Sequence, residues 1–548
     1  MAKKPKIRLK SGASIGQPAA EDDVRFLNEC FIRHPTVDAL KDVNSHLCVL
    51  LGRTGSGKSA ILWHLETTMD NVTRVHPKDV AFQYIGNSAI IRHLTELGVD
   101  LHVLYEYLWT HVLTLHFIRE CLGVQSKDGL RKVADSIKNL VWRDERRMLA
   151  VRYLEKHADD FWITVEQVYV EFTNTVSEKL AGEAGVSAEV FKSKIESGGE
   201  WKEEHKRQFK YRAQEIVSAL QMRELKEVIN ALSSKIDPKQ SFYVLIDDLD
   251  REWAGDDKTQ YCLIRALIES LKTFRRIPNL KIVVAMREDL YESTLRTTTD
   301  KHFQAEKQEG IIIRLRWTET MLVTLVERRI HELFRNEYTK QTVKLNDVLA
   351  DSIVQTPLRN YLLERTLRRP RDIIAFVNRV LIENEGENLP LPARGITKAE
   401  PGYSNDRLRA LEDEWRSCHP LIRSYLKCIQ GLPHTSMVQL LDEDRLFALV
   451  FDIAELERHA IDDIERLGKS VYETNKELRF RRLARSLITT LFKIGAVGVK
   501  LHANQSYSFC YGQRASIEDG EICDDTKFVV HPMLTTSLGS QSFQADAA

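Results

Sequence analysis

The sequence predicts an α/β protein: a parallel sheet around a phosphate-binding loop, a large helical insertion, a helical lid and a C-terminal winged-helix-like α+β domain. Three observations carry that prediction. The segment Gly52-Arg53-Thr54-Gly55-Ser56-Gly57-Lys58-Ser59 satisfies the pattern G-x-x-x-x-G-K-[ST] at every fixed position. The apolar run Phe242-Tyr243-Val244-Leu245-Ile246 ends in Asp247-Asp248-Leu249-Asp250-Arg251, as a central parallel strand does when its carboxyl end opens on a site. Further apolar runs alternate with helical periodicity, which implies parallel strands joined by right-handed crossovers.

The first element is the loop itself. Residues 47–51 read as a buried strand and 60–65 as the start of a helix, the context that gives the motif physical content. Glycines let the backbone curl so that its N–H groups face phosphate oxygens, and the following helix adds its positive end. Gly52, Thr54, Gly55, Ser56, Gly57, Lys58, Ser59 and Ala60 are the expected contacts to ATP, with Lys58 on the β- and γ-phosphates. Ser59 and Asp247 are the expected Mg²⁺ ligands. Asp248 is the candidate for orienting or deprotonating the attacking water, with Asp250 and Arg251 at the rim. A third strand, 280–286, delivers Arg287, which reads either as a sensor of the γ-phosphate or as a rim residue held in a salt bridge. Residues 310–317 and 80–85 complete the expected strands.

The two motifs are far apart: Lys58 and Asp247 lie 189 positions from one another, more than one crossover needs. The space between is expected to hold a helical insertion over 90–236, so that the core comprises 14–89 and 237–317. Residues 1–13 read as a flexible basic arm, 318–385 as the lid and the Pro/Gly-containing 386–404 as a linker. In the last lid helix Ile373, Val377, Val380 and Leu381 form an apolar stripe. Residues 405–540 read as helices followed by two strands at 497–501 and 507–511, and 541–548 as a tail. Arg479, Arg481, Arg482 and Arg485 on the last long helix either meet DNA phosphates or form the wet face of a core helix.

Composition narrows the functional classes. The 548 residues carry equal numbers of acidic and basic side chains, so no global field favours nucleic acid or an anionic membrane. Eight cysteines show no C-x-x-C pair and no zinc spacing, which suits reduced thiols in a cytoplasmic protein. The most apolar stretch, 107–118, is twelve residues long, whereas a membrane span needs about twenty. The basic start leads into Gly and Ser rather than an apolar segment, so a secretion signal is not expected.

These motifs together resemble the P-loop NTPases with an additional central strand, above all the STAND and KAP-like signalling ATPases. The chain is more closely similar to a family of bacterial P-loop ATPases known under a cyanobacterial locus label. The likeness includes Ala20-Glu21-Asp22-Asp23, a Phe-Leu-x-x-Cys-Phe stretch from Phe26 to Phe31, Trp317 at the end of a strand, and Arg369-Pro370-Arg371-Asp372. It implies a nucleotide-sensing lid arginine at Arg371, although the residues alone allow a helix cap there. It also implies a Mg-ATP-driven switch in bacterial signalling or anti-phage defence, acting as a homo-oligomer with a separate effector protein. No nuclease, protease or deaminase motif occurs in the chain to supply that effector activity. A DNA-binding ATPase similar to origin-recognition and loader proteins, reaching nucleic acid through the C-terminal domain, is the alternative.

Overall fold

The computed structural model describes residues 7–75, 89–96, 99–124, 145–156, 240–247, 249, 257–298 and 308–540, apart from 417, 458–459, 474, 503, 513 and 515, with a few isolated residues of 132–231. It divides into a sheet unit, Arg33–Arg53 with Lys58–Leu315, and a largely helical unit, Met1–Ile32 with Thr54–Gly57 and Arg316–Ala548.

The sheet unit is built on five parallel strands: β1 (Val49–Gly52), β2 (Val72–Val75), β3 (Phe242–Ile246), β4 (Leu280–Arg287) and β5 (Ile312–Arg314). They lie in the order β2-β3-β4-β1-β5. β1 and β3 are buried throughout and β4 over all but its last residue, which is why these strands read as unbroken apolar runs. Strand β2 is a short, half-buried edge strand that the sequence analysis did not anticipate, and the expected strand at 80–85 lies outside the described residues.

Part of the expected insertion belongs to this core. The helix His102–Leu122 packs on the helix Asp257–Phe274 and on β2 and β3. Its Trp109 is fully buried and donates Nε1–H to the Leu263 carbonyl at 2.8 Å. Phe117 meets Phe242 edge to face at 5.9 Å. The helix His102–Leu122, expected as part of the insertion, therefore covers the sheet. Among the described residues no helix is long and apolar enough to cross a membrane.

In the helical unit the stripe of Ile373, Val377, Val380 and Leu381 is almost completely buried along the helix Pro370–Glu383. Two expectations need correcting. Residues 7–13 are not a free arm: Leu9 is buried, its N–H donates to the Glu387 carbonyl and its own carbonyl accepts from Gly386 N–H, both at 2.9 Å. Nor is 386–404 a linker. It contains the helix Ala393–Lys398 and the start of Glu400–Trp415, and Leu391, Ile396, Ala399 and Tyr403 join a hydrophobic core that continues into the C-terminal region. The prolines that suggested a linker stand where helices begin, Pro392 at a cap and Pro401 in a first turn, where the missing N–H costs nothing.

The C-terminal region runs Ile422–Cys428, β6 (Thr435–Met437), Glu443–Ala454, Asp463–Lys469, Lys476–Ile494, β7 (Val497–Lys500) and β8 (Lys527–Val530). Its strands form an antiparallel sheet in the order β6-β8-β7. The strand expected at 507–511 is reduced to one bridge between Ser508 and Val499.

A buried ion pair fixes the N-terminal segment of this unit. Asp23 Oδ2 accepts from Arg329 Nη2 at 2.6 Å, and Arg329 Nη1 also donates to the Ile15 carbonyl at 2.9 Å. Gly16, at φ +106°, is required there: a Cβ would fall 2.3 Å from Asp23 Oδ1 and 2.4 Å from Arg329 Nη1. The acidic element Ala20-Glu21-Asp22-Asp23 thus anchors the segment to the helix Glu319–Glu337.

Candidate functional site

Strand β1 delivers the glycine-rich loop to the carboxyl edge of the sheet, and Gly52 is in register with Arg287 on β4. Asp247 follows β3 at the same edge with β4 between, which is two interstrand steps or roughly 10 Å from β1. Lys58, the first residue of the helix Lys58–Thr68, directs Nζ to the carbonyls of Gly52 at 2.9 Å and Arg53 at 3.2 Å. Ser59 and Ala60 follow in that helix, partly exposed. The Ser59 hydroxyl is engaged by no described residue.

The acidic side of the edge holds a partner that sequence reasoning missed. Asp247 is 5 % exposed, and its Oδ2 lies 3.1 Å from Nη2 of Arg74 on β2. Arg74 also reaches Glu66 at 3.7 Å. Arg287 sits where expected, but its guanidinium forks onto Asp289, Nε to Oδ1 at 3.1 Å and Nη2 to Oδ2 at 2.7 Å. The structure thus places Arg287 beside Gly52 while satisfying its charge locally. Asp248, Asp250 and Arg251 lie outside the described residues.

The tip of the loop, Thr54–Gly57, belongs to the helical unit. Three consecutive carbonyls there are taken by three donors. Arg369 Nη1 donates to Thr54 O at 2.7 Å, the Arg371 amide to Gly55 O at 3.3 Å, and Trp317 Nε1 to Ser56 O at 2.7 Å. In a planar trans peptide C=O and N–H point in opposite directions, so pinning these oxygens turns the amides of Gly55, Ser56 and Gly57 the other way. None of those three amides donates to a protein acceptor among the described residues. Gly55 and Gly57 hold φ of +75° and +94°, and a Cβ on Gly55 would fall 2.6 Å from Arg371 Cβ. The hydroxyls of Thr54 and Ser56 are enclosed and meet no hydrogen-bond partner among the described residues.

Charge is balanced immediately behind this tip. Arg369 Nε bonds Asp372 Oδ2 at 2.8 Å, Nη1 reaches Glu414 Oε2 at 2.8 Å, and Arg407 Nη1 meets Asp372 Oδ1 at 3.2 Å. Burial opposes the charge of Arg369, but Asp372 and Glu414 hold it above the usual arginine range. Burial would likewise raise Asp372, but Arg369 and Arg407 hold its carboxyl below the usual range. Two guanidiniums thus offset two carboxylates. Arg371 is the surplus cation; burial first, and then Arg369, push it below the ordinary arginine range. Its guanidinium makes no ion pair among the described residues.

A family model matches one region of the chain, and a known protein aligns with most of it. Residues 320–412 match the family described as FunZ-associated C-terminal helical domain, a region that holds Arg369, Arg371, Asp372 and Arg407. The chain is 20 % identical over 525 residues to the transposon gamma-delta 80.3 kDa protein of Escherichia coli (strain K12). That alignment covers 94 % of this chain and 66 % of the relative, so the chain spans just under two thirds of the relative's length. No solved structure matches. The matched helical domain thus supplies two of the three donors to the loop tip, with Trp317 lying just before its first residue.

Proposed function

We propose that the chain is a Mg-ATP-binding switch with a P-loop NTPase core that hydrolyses ATP. The observation that carries this reading is the loop tip, where three successive amides are oriented away from pinned carbonyls and find no acceptor among the described residues. Such a nest is complementary to phosphate oxygens. The strand order, with β4 between β1 and β3, supports the additional-strand arrangement. Lys58, whose flexible side chain rests its Nζ 2.9 Å from the Gly52 carbonyl, is the proposed contact to the β- and γ-phosphates. Arg371 adds a positive charge against Gly55 that no carboxylate among the described residues pairs directly.

Ser59 and Asp247 are hard oxygen donors and fit Mg²⁺, which when bound neutralises charge on the phosphates. Arg74 has to yield part of Asp247 for that, so Arg74 sets the affinity of the metal position. Asp248 is the proposed water-positioning carboxylate and Arg287, released from Asp289, the proposed γ-phosphate contact. An effector for such a switch would be a separate protein, because the sequence holds no nuclease, protease or deaminase motif.

The test is direct: calorimetry with ATP and Mg²⁺ on the purified chain, together with phosphate release. Submicromolar to micromolar binding with slow turnover is expected, and no binding at millimolar ATP would sink the reading.

A second reading has one observation in its favour. Helices followed by the antiparallel sheet β6-β8-β7 support a winged-helix reading of this region, and the relative carries a transposon name. Against it, Arg479 pairs with Glu473, Arg481 with Glu477 and Asp524, and Arg485 with Asp524. Three of the four arginines are thus already paired with carboxylates. Duplex DNA that stimulates turnover steeply and salt-dependently would restore this reading.

A further inference from the structure

We infer that Trp317 and Arg369 are positioning residues of the phosphate cradle, acting through the backbone oxygens of Ser56 and Thr54. The inference rests on the proposal that the loop binds nucleotide, and adds to it the cause of the loop's receptive shape. Each peptide plane of the tip has two ends. The Thr54 carbonyl shares a plane with the Gly55 amide, and the Ser56 carbonyl with the Gly57 amide. A loop with positive φ at Gly55 and Gly57 has few intrinsic restraints, so its peptide planes can flip unless something holds them.

Trp317 holds one oxygen at 2.7 Å, with its ring 3.6 Å from where a Gly57 Cβ would stand. Arg369 holds the other at 2.7 Å through Nη1, which also reaches Glu414, while its Nε is bound to Asp372. The arginine is 4 % exposed, so it is set rigidly before any ligand arrives. Its neighbour Arg368, at φ +50°, turns the chain at the entry to the helix Pro370–Glu383. Arg368 pairs with Glu319 while Arg369 takes the loop carbonyl. Phosphate binding energy is thereby not spent on ordering the tip. Glu414, near the end of the helix Glu400–Trp415, closes the chain of contacts, so a shift of that helix would be felt at Thr54.

The test compares wild type with Trp317→Phe, which keeps an aromatic ring and removes only the donor. ADP and inorganic pyrophosphate are the probes, titrated calorimetrically, with adenosine as a ligand that lacks phosphate. Thermal unfolding without nucleotide is recorded in parallel. Loss of one backbone-directed hydrogen bond should weaken ADP and pyrophosphate about five- to tenfold, with adenosine binding and the nucleotide-free melting temperature unchanged. Arg369→Lys should do the same to ADP, because an ammonium cannot serve Thr54, Asp372 and Glu414 together. Unchanged ADP affinity in Trp317→Phe overturns the inference. So does a fall in nucleotide-free melting temperature that accounts for the weaker binding, since that marks an ordinary brace. Failure of wild type to bind either probe overturns the nucleotide reading itself, and the inference with it. Lys58→Ala, which leaves both donors in place, distinguishes these cases: it should weaken the probes only if the loop is where they bind.

Discussion

Arg74 and Asp247 form an ion pair, 3.1 Å from Nη2 to Oδ2, across the two neighbouring strands at one edge of the sheet. Asp247 is 5 % exposed, whereas Arg74 keeps 22 % of its side chain in solvent. The proposed metal ligand is therefore occupied by a cation that a metal must displace. Arg74→Gln should lower the Mg²⁺ concentration that half-saturates ATP binding several-fold, while costing roughly 1–2 kcal/mol of stability from the unpaired acid. Asp247→Asn should remove the Mg²⁺ dependence altogether. ATP titrations at graded Mg²⁺ measure both, and an Arg74 variant that needs more metal would contradict the competition.

Lys58 is the residue on which ATP binding should depend most. Its ammonium now rests on the Gly52 and Arg53 carbonyls at the helix start, contacts that contribute little to the fold because the side chain is partly exposed. Lys58→Ala should therefore weaken ATP at least a hundredfold with an unaltered circular dichroism spectrum. Unchanged affinity by calorimetry would remove the loop from the site.

Arg287 is poised beside Gly52 but paired with Asp289, so its part in turnover requires that fork to open. Arg287→Ala should slow phosphate release about tenfold and weaken ATP binding less than that. Steady-state kinetics separate the two effects. A variant with impaired binding and normal turnover would make the Arg287–Asp289 pair a structural clip at the start of the helix Glu288–Thr298.

Some of this was legible in the chain and some was not, for physical reasons. The loop and the strand ending at Ile246 stand out because local rules act on them: fixed glycines, and apolar runs buried on both faces. The stripe from Ile373 to Leu381 is visible because helix periodicity writes burial into the sequence. Strand Val72–Val75 carries no such mark, since a four-residue half-buried edge strand owes its existence to its partner β3. Arg74 was missed with it. Strands Thr435–Met437 and Lys527–Val530 were missed for the same reason, as each is defined by a partner distant in sequence. Pro392 and Pro401 misled because proline marks a helix start as readily as a loop. The grip of Trp317 and Arg369 on the loop could not be read at all: their acceptors are backbone carbonyls, which every residue has.

Asp372 makes the stability of the helical unit acid-sensitive. Its carboxylate is completely buried and accepts from Arg369, from Arg407 and from the Leu367 amide at 3.1 Å. Burial alone would raise its pKa, but the two guanidiniums hold it below the usual aspartate range. A depressed folded-state value means the unfolded chain takes up the proton first as pH falls. The contribution is then complete above the unfolded value of about 4 and is lost as pH drops through the folded one. Asp372→Asn removes the charge, leaves Arg369 and Arg407 with one carboxylate between them, and should cost roughly 3–5 kcal/mol at neutral pH. The stability gap between wild type and variant should be constant from pH 7 to about 5 and shrink below pH 4. Urea unfolding across that range measures it. A gap that stays constant down to pH 2, or that widens on acidification, would mean that Asp372 does not bind its proton more weakly in the folded protein.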